Sequence, residues 1–351
     1  MLPGNIIPKK PYGVCYVVEP HNWAIAADGA NIAENIELLY PTLRMQVTQH
    51  PYLSRAPVVH FGSQFMFQNW AEFMPKDDKI VVTYFHGEYG KDVVIDKNLE
   101  FLIDNHNRVR QIIVSFELMQ DRLISLGIPA EKISRIPVGV STALFSLNSS
   151  NEKTSGIRHR LRIPQGYKVI GSFQKDGEGW GTGITPKLIK GPDIFVEAVR
   201  KISDTQPICV LLSGPARGYM KSELKKYRIP YIHHFARSPR DMVDLYHATD
   251  LYIVASREEG GPKGLLEALA VGCPVVTTPV GMATDLRSSS GYFSILDSFE
   301  ASQIAYEAIQ ILENLPSQRE RQTLRNHVLE YDWAEIAKLH QAEVYAPLLN
   351  H

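Results

Sequence analysis

Short apolar runs recur along this chain: GVCYVVEP (13–20), PVVHFG (57–62), KIVVTYFHG (79–87), QIIVSF (111–116), KVIGSF (168–173), PICVLLSG (207–214), LYIVAS (251–256) and CPVVTTPVG (273–281). Most have the length and β-branched content of a buried strand. Between many of them lie stretches of helical spacing, FELMQDRLISLG, GPDIFVEAVRKI, SPRDMVDLYHATD and PKGLLEALAVG. Strand and helix in alternation build parallel sheets covered by helices, so the fold class is α/β.

One stretch breaks the alternation. SLNSSNEKTSG (146–156) is polar and has neither period, and it reads as a linker. At 351 residues the chain is long for one core. The expectation is two doubly wound, Rossmann-like domains facing a cleft: residues 1–148, a linker at 149–156, and residues 157–332. The tail 333–351 has apolar residues at helical spacing and no strand after it. It is expected to pack as a helix crossing toward the N-terminal domain.

Charge excludes some partners. Residues 1–148 hold 13 Lys+Arg against 15 Asp+Glu, which leaves 24 against 23 in the remainder. Neither half has the basic excess that nucleic acid or an anionic membrane attracts. The cysteines, Cys15, Cys209 and Cys273, are three in number and sit in apolar runs, the pattern of buried free thiols in a reducing compartment. No apolar run reaches the roughly 18 residues of a membrane helix, and the expected location is the cytoplasm.

In open parallel sheets ligands bind beyond the carboxyl ends of the strands, which here means the loops after Phe85, Phe173, Leu212 and Ala255. The richest of them is REEGGPKGLLEALAVGCPVV (257–276), where seven residues separate Glu259 from Glu267. A helix starting near Pro262 directs unpaired N–H groups and a positive dipole end into the loop, and phosphate binds at such ends. Gly260, Gly261 and Gly264 allow a bulky diphosphate to approach. Glu267, about five residues into the helix, stands roughly 7 Å along the axis. A carboxylate at each end fits a ribose at Glu267 and a sugar at Glu259. On spacing alone an equal reading is that Glu259 complements the dipole and Glu267 pairs with Lys263.

The segment EGGPKGLLEALAVGCPVVTTPVG resembles the E-x7-E signature of the retaining glycosyltransferases of family 4, which have the two-domain GT-B fold. VSFELMQDRLISLGIPAEKISRIPVGVSTALF (114–145), KVIGSF with LIKGPDIFVEAV (188–199), LLSGPARGY (211–219) and DMVDLYHATDLYIVAS (241–256) resemble the same family in the same order. The resemblance implies that Glu259 contacts the donor sugar, Glu267 the ribose and Lys190 the diphosphate. His86 would face the transferred sugar. Gly171, Ser172, Lys263, Leu265 and Arg217 would complete the donor side. The family usually has an arginine just after the glycine of the first strand of the C-terminal domain. Here Gly171 is followed by Ser172, Phe173, Gln174 and Lys175, so Lys175 and Arg217 are the candidates for that cation. Where the family has adjacent glycines in the N-terminal domain, only Gly29 occurs, after Asp28.

A Gly-rich insert, GEGWGTGITPK (177–187), lies between strand and Lys190 and reads equally as a mobile flap or a surface loop. His60, His233 and His234 read as structural. No His-x3-His, D-x-D or H-x-E with C-x-x-C occurs, so no obligatory metal or other cofactor is expected. The partners implied are a nucleoside-diphosphate sugar and a hydroxyl acceptor, used by a retaining transferase. Rival readings are a sugar-nucleotide epimerase on the same fold and a non-catalytic sugar-nucleotide-binding subunit.

Overall fold

The computed structural model describes residues 11–19, 24–75, 79–148, 150–286 and 291–350. It divides into two compact units, Met1–Val138 with Trp333–His351, and Gly139–Asp332. Each contains one six-stranded sheet, and every strand pair in both sheets is parallel.

The first sheet contains β1 (Val14–Val17), β2 (Met45–Thr48), β3 (Val58–Phe61), β4 (Lys79–Thr83), β5 (Val109–Val114) and β6 (Ile133–Arg135), in the order β2-β1-β3-β4-β5-β6. The second contains β7 (Lys168–Ser172), β8 (Ile208–Leu212), β9 (Tyr231–His233), β10 (Leu251–Val254), β11 (Val275–Thr277) and β12 (Phe293–Ile295), in the order β12-β11-β10-β7-β8-β9. The strand order reverses between β1 and β3 in one and between β7 and β10 in the other. Such reversals open crevices at the carboxyl ends of the flanking strands.

The eight apolar runs all carry strands. The four strands outside those runs, β2, β6, β9 and β12, are the four sheet edges. They have three or four residues each, and β2 and β9 are largely only half-buried, so nothing forces a continuous apolar run.

The expected linker is mostly a helix. Asn151–Arg160 is helical, with the Ser150 hydroxyl capping it by accepting from Lys153 N–H at 3.2 Å. Ile157 is buried beside Val169, Leu245 and Ala248, and Arg158 pairs with the buried Asp250 at 2.7 Å. The polar run therefore belongs to the second unit, and the boundary falls at residues 138 and 139. Ser and Asn favour helix starts as much as loops.

Asp28 and Gly29 stand where the resembled family has its adjacent glycines. They lie inside the helix Ala24–Leu39. A methyl group on Gly29 would press on the Tyr16 ring, so this glycine serves helix-to-sheet packing.

In the tail, Trp333–Leu339 is α-helical, His340–Tyr345 is π-helical and Ala346–Asn350 is α-helical again. This tail is part of the first unit, where Tyr345 OH meets His60 Nδ1 at 2.7 Å. The cysteines are buried and free. Among the described residues no helix is long and apolar enough to cross a membrane.

Candidate active site

The second unit gathers its polar side chains where β7 and β10 end. From β7 the chain passes through Gln174 and the Gly-rich insert to a 3-10 turn, Leu188–Lys190, and then Gly191. Gly191 has φ +62°, and a Cβ there would collide with the Ala255 carbonyl oxygen. Only glycine lets the turn seat on the end of β10. The contact is fixed further by Arg257 N–H donating to Ile189 O at 2.8 Å and by the Arg257 guanidinium gripping Asp193 at 2.6 and 2.8 Å.

This seating sets Lys190 against Glu259. Lys190 Nζ is 2.5 Å from Glu259 Oε2, and the two side chains are 19% and 13% exposed. The buried Ser256 hydroxyl donates to Glu259 Oε1 at 2.9 Å. Gln174 ties the two strands together, donating to Lys190 O at 2.9 Å and accepting from Ser256 Oγ at 3.3 Å. A partly exposed lysine and carboxylate are thus held at one point by a buried frame.

The helix after this loop is Lys263–Ala270, with Pro262 at its N-cap. Gly260 is buried and fixed by Met282 N–H donating to its carbonyl at 3.0 Å; Gly261 and Lys263 are half-buried at the helix entrance. Glu267, one turn in, accepts from Tyr246 OH at 2.8 Å. Burial, reinforced by the Glu267 charge, pushes the Tyr246 phenol well above its ordinary pKa, so it remains a donor. Its ring packs on Phe173 and Tyr252, with centroids at 4.9 and 5.4 Å.

Several residues expected at the donor turn inward. Arg217 is fully buried: Nη1 donates to Ser172 O and Ser213 O at 2.8 and 2.6 Å, and Nη2 donates to Ser172 Oγ at 2.9 Å. Its charge is met by the equally buried Asp176 at 3.0 Å. Arg217 and Ser172 are therefore internal braces. Leu265 is a core side chain whose N–H bonds Pro262 O at 2.9 Å. The missing Cβ of Gly264 makes room for Tyr252, and that of Gly171 for Thr249 and Tyr252. The Lys175 ammonium stands over the Trp180 ring, 4.0 Å from its centroid.

The Gly-rich insert is a pinned hairpin. Gly177 bridges Pro186, and the carbonyls of Thr182 and Gly183 accept from Gly218 and Tyr219 N–H at 2.8 Å each, at the start of the helix Gly218–Lys226.

His86 belongs to the first unit, beyond the end of β4. Its carbonyl accepts from Gln64 Nε2 at 3.2 Å, while Gln64 Oε1 accepts from Phe85 N–H at 3.3 Å. His60 is buried between Tyr345 and Thr83, and His233 Nε2 contacts Gly214 O at 2.9 Å; His234 is exposed.

Ser256, Gln174 and Tyr246 were not singled out in the sequence. The serine at a strand's carboxyl end three residues before Glu259 was the available signal; Gln174 and Tyr246 reach the site through tertiary contacts. Among the described residues no cluster of three or more His, Cys, Asp or Glu could hold a metal ion.

Residues 182–314 match the family model described as Glycosyl transferases group 1. A D-inositol 3-phosphate glycosyltransferase of Corynebacterium jeikeium (strain K411) is 27% identical over 192 residues, 51% of this chain and 43% of that protein. The chain spans about half the length of the curated relatives it matches. Among solved structures, a glycosyltransferase from Rickettsia africae ESF-5 aligns with TM-score 0.73 at 14% identity, covering 97% of this chain and 99% of that one. Anabaena Alr3699/HepE in complex with UDP-glucose aligns with TM-score 0.67 at 16% identity, covering 96% and 97%. The two doubly wound sheets are the GT-B fold. The residues that match the Glycosyl transferases group 1 model fall in the second unit, and the Lys190–Glu259 pair and Glu267 lie among them.

Proposed function

We propose that the chain is a retaining glycosyltransferase that moves a sugar from a nucleoside diphosphate to an acceptor hydroxyl without an obligatory metal. The donor belongs to the second unit, the first unit selects the acceptor, and His86 keeps the role toward the transferred sugar that the family resemblance implies. The observation that carries this reading is the Lys190–Glu259 pair, framed at the carboxyl ends of β7 and β10 and followed by a helix N-terminus.

Transfer leaves new negative charge on the departing diphosphate. A fixed ammonium and the N–H groups opening the Lys263–Ala270 helix stabilise that charge more in the transition state than in the ground state. Glu259 is placed to accept from sugar hydroxyls, and Glu267 from the ribose. Retention is assigned to same-face transfer, in which the departing phosphate oxygen receives the acceptor's proton. The cytoplasm is the compartment proposed.

The test is mass-spectrometric screening for products across UDP-, GDP- and ADP-sugars with a panel of glycan, lipid-linked and small-molecule acceptors. NMR then fixes the configuration of any product. An inverted anomeric centre defeats the same-face mechanism, and sugar-nucleotide conversion without an acceptor identifies an isomerase instead.

A further inference from the structure

The sequence TPKLIKG sets Lys187 three residues before Lys190. Lys190 N–H donates to Lys187 O at 2.8 Å, closing the 3-10 turn. Lys187 caps this turn from just outside it, with φ −85° and ψ 88°. The two ammonium groups repel each other, which is unfavourable unless an anion lies between or before them.

The charged groups that face Lys187 are Lys190, Lys175, Glu178 and Glu259. Glu259 is already paired with Lys190, and Lys175 lies on Trp180. Among the described residues the Lys187 ammonium has no hydrogen bond or ion pair, although the residue is half-buried. Burial first, and then the charge of Lys190, holds its pKa below the ordinary lysine value. Glu178, the other carboxylate facing it, is exposed and makes no ion pair with it, and a half-buried cation held by no ion pair marks a site for an external anion.

The fold holds the two lysines in place despite their repulsion. Lys187 N–H donates to Asp176 O at 2.8 Å, and the Asp176 carboxylate is anchored by buried Arg217. The hairpin before it is closed by Glu178 N–H on Thr185 O at 2.9 Å. The buried ion pair therefore supports the segment that carries Lys187.

We propose that Lys187 is a second cation for the donor's diphosphate, acting beside Lys190. The proposal rests on the donor-site reading above. Lys190 is neutralised by Glu259, so the surplus positive charge that a diphosphate meets comes from Lys187, and the departing diphosphate then has two ammonium groups within one turn of chain.

The test is calorimetric titration of the wild type, Lys187→Ala, Lys187→Arg, Lys190→Ala and the surface control Lys201→Ala with UDP, GDP, ADP and their nucleosides. Lys187→Ala is expected to weaken the best-bound diphosphate about tenfold or more. It should also lessen the salt dependence of binding, leave nucleoside affinity and melting temperature unchanged, and be largely rescued in Lys187→Arg. Wild-type diphosphate affinity in Lys187→Ala, with weakened binding in Lys190→Ala, overturns the proposal and leaves the donor site standing. Equal weakening toward nucleoside and diphosphate also overturns it, because that is a distorted loop. If the wild type binds none of the diphosphates, the donor-site reading itself falls.

Discussion

In the second unit the strand order reverses between β7 and β10, and charged, partly exposed side chains collect there. In the first unit it reverses between β1 and β3, and those strands carry a sealed aromatic cluster. Tyr16 on β1 is in register with His60 on β3, their ring centroids 4.5 Å apart. His60 contacts Thr83 Oγ1 and Tyr345 OH at 2.8 and 2.7 Å, and His340 stacks on Tyr345 at 5.7 Å. All four rings are buried. A strand-order reversal is thus a geometric opening that side chains turn either to ligand chemistry or to fastening a C-terminal segment.

The comparison can be broken by single substitutions, and the largest effect is expected at Lys190. Lys190→Ala should lower turnover at saturating donor by about 100- to 1,000-fold, the effect of removing a group aimed at developing charge. If only the Michaelis constant rises, Lys190 anchors the ground state. His60→Ala should act oppositely, removing about 3 kcal/mol from the first unit's stability by opening a cavity and taking away the partner of the buried Tyr345 hydroxyl. Donor affinity per folded molecule should be unchanged. A weaker donor affinity in that variant would break the division drawn between the units.

Much of this division was legible in the sequence where burial dictates composition. The central strands are apolar because both faces are covered. The edge strands, such as YIH of β9 with its exposed His233, carry no such demand and left no pattern. At the candidate site, spacing and turn chemistry singled out Glu259, Glu267 and the helix start, and the family resemblance added Lys190; the structure sets Lys190 against Glu259 and starts the helix at Lys263. Arg217 was misread because a cation near a strand end looks the same in sequence whether it faces a ligand or the buried Asp176. Lys187 was overlooked because its half-burial is a tertiary fact that its place in the sequence does not carry.

Next in size is Glu267→Ala. Loss of a charged hydrogen-bond acceptor should weaken donor binding by about 1.5–3 kcal/mol, with a smaller change in turnover because ribose contacts are alike in ground and transition states. Titration with a nucleoside diphosphate measures this directly. Unchanged affinity in a folded variant would remove the ribose from Glu267 and leave the polar reversal with one working carboxylate.

Acid should expose the other side of the comparison. Burial holds His60 well below its ordinary pKa, and holds His340 down at about 3. Above pH about 6.5 both are neutral whether folded or unfolded, and their contribution to stability is complete. As pH falls below that value the unfolded chain takes up protons that the folded chain refuses, so stability declines until the folded pKa is passed. Each such histidine contributes a slope of about 1.4 kcal/mol per pH unit. His233 and His247 in the second unit are also lowered by burial, so the wild-type slope alone does not assign the effect. His340→Gln should reduce the slope of urea-measured stability between pH 6 and 4 by about one proton. An unchanged slope would mean that His340 is protonated within the folded cluster.

The smallest effect expected is at Tyr246, and it asks how the polar site uses its aromatic support. Tyr246→Phe keeps the ring on Phe173 and Tyr252 and removes only the hydroxyl that donates to Glu267 Oε2 at 2.8 Å. A net hydrogen bond of this kind is worth about 1 kcal/mol, so stability should change little. If the phenol orients the carboxylate for a ribose, diphosphate affinity should fall about fivefold. The fall should vanish in the Glu267→Ala background, because the two residues act through one contact. If the phenol instead occupies an oxygen that the ribose needs, the same substitution should raise affinity. The sign of a change of about 1 kcal/mol therefore separates support from competition, and titration of Tyr246→Phe, Glu267→Ala and the double variant reads it.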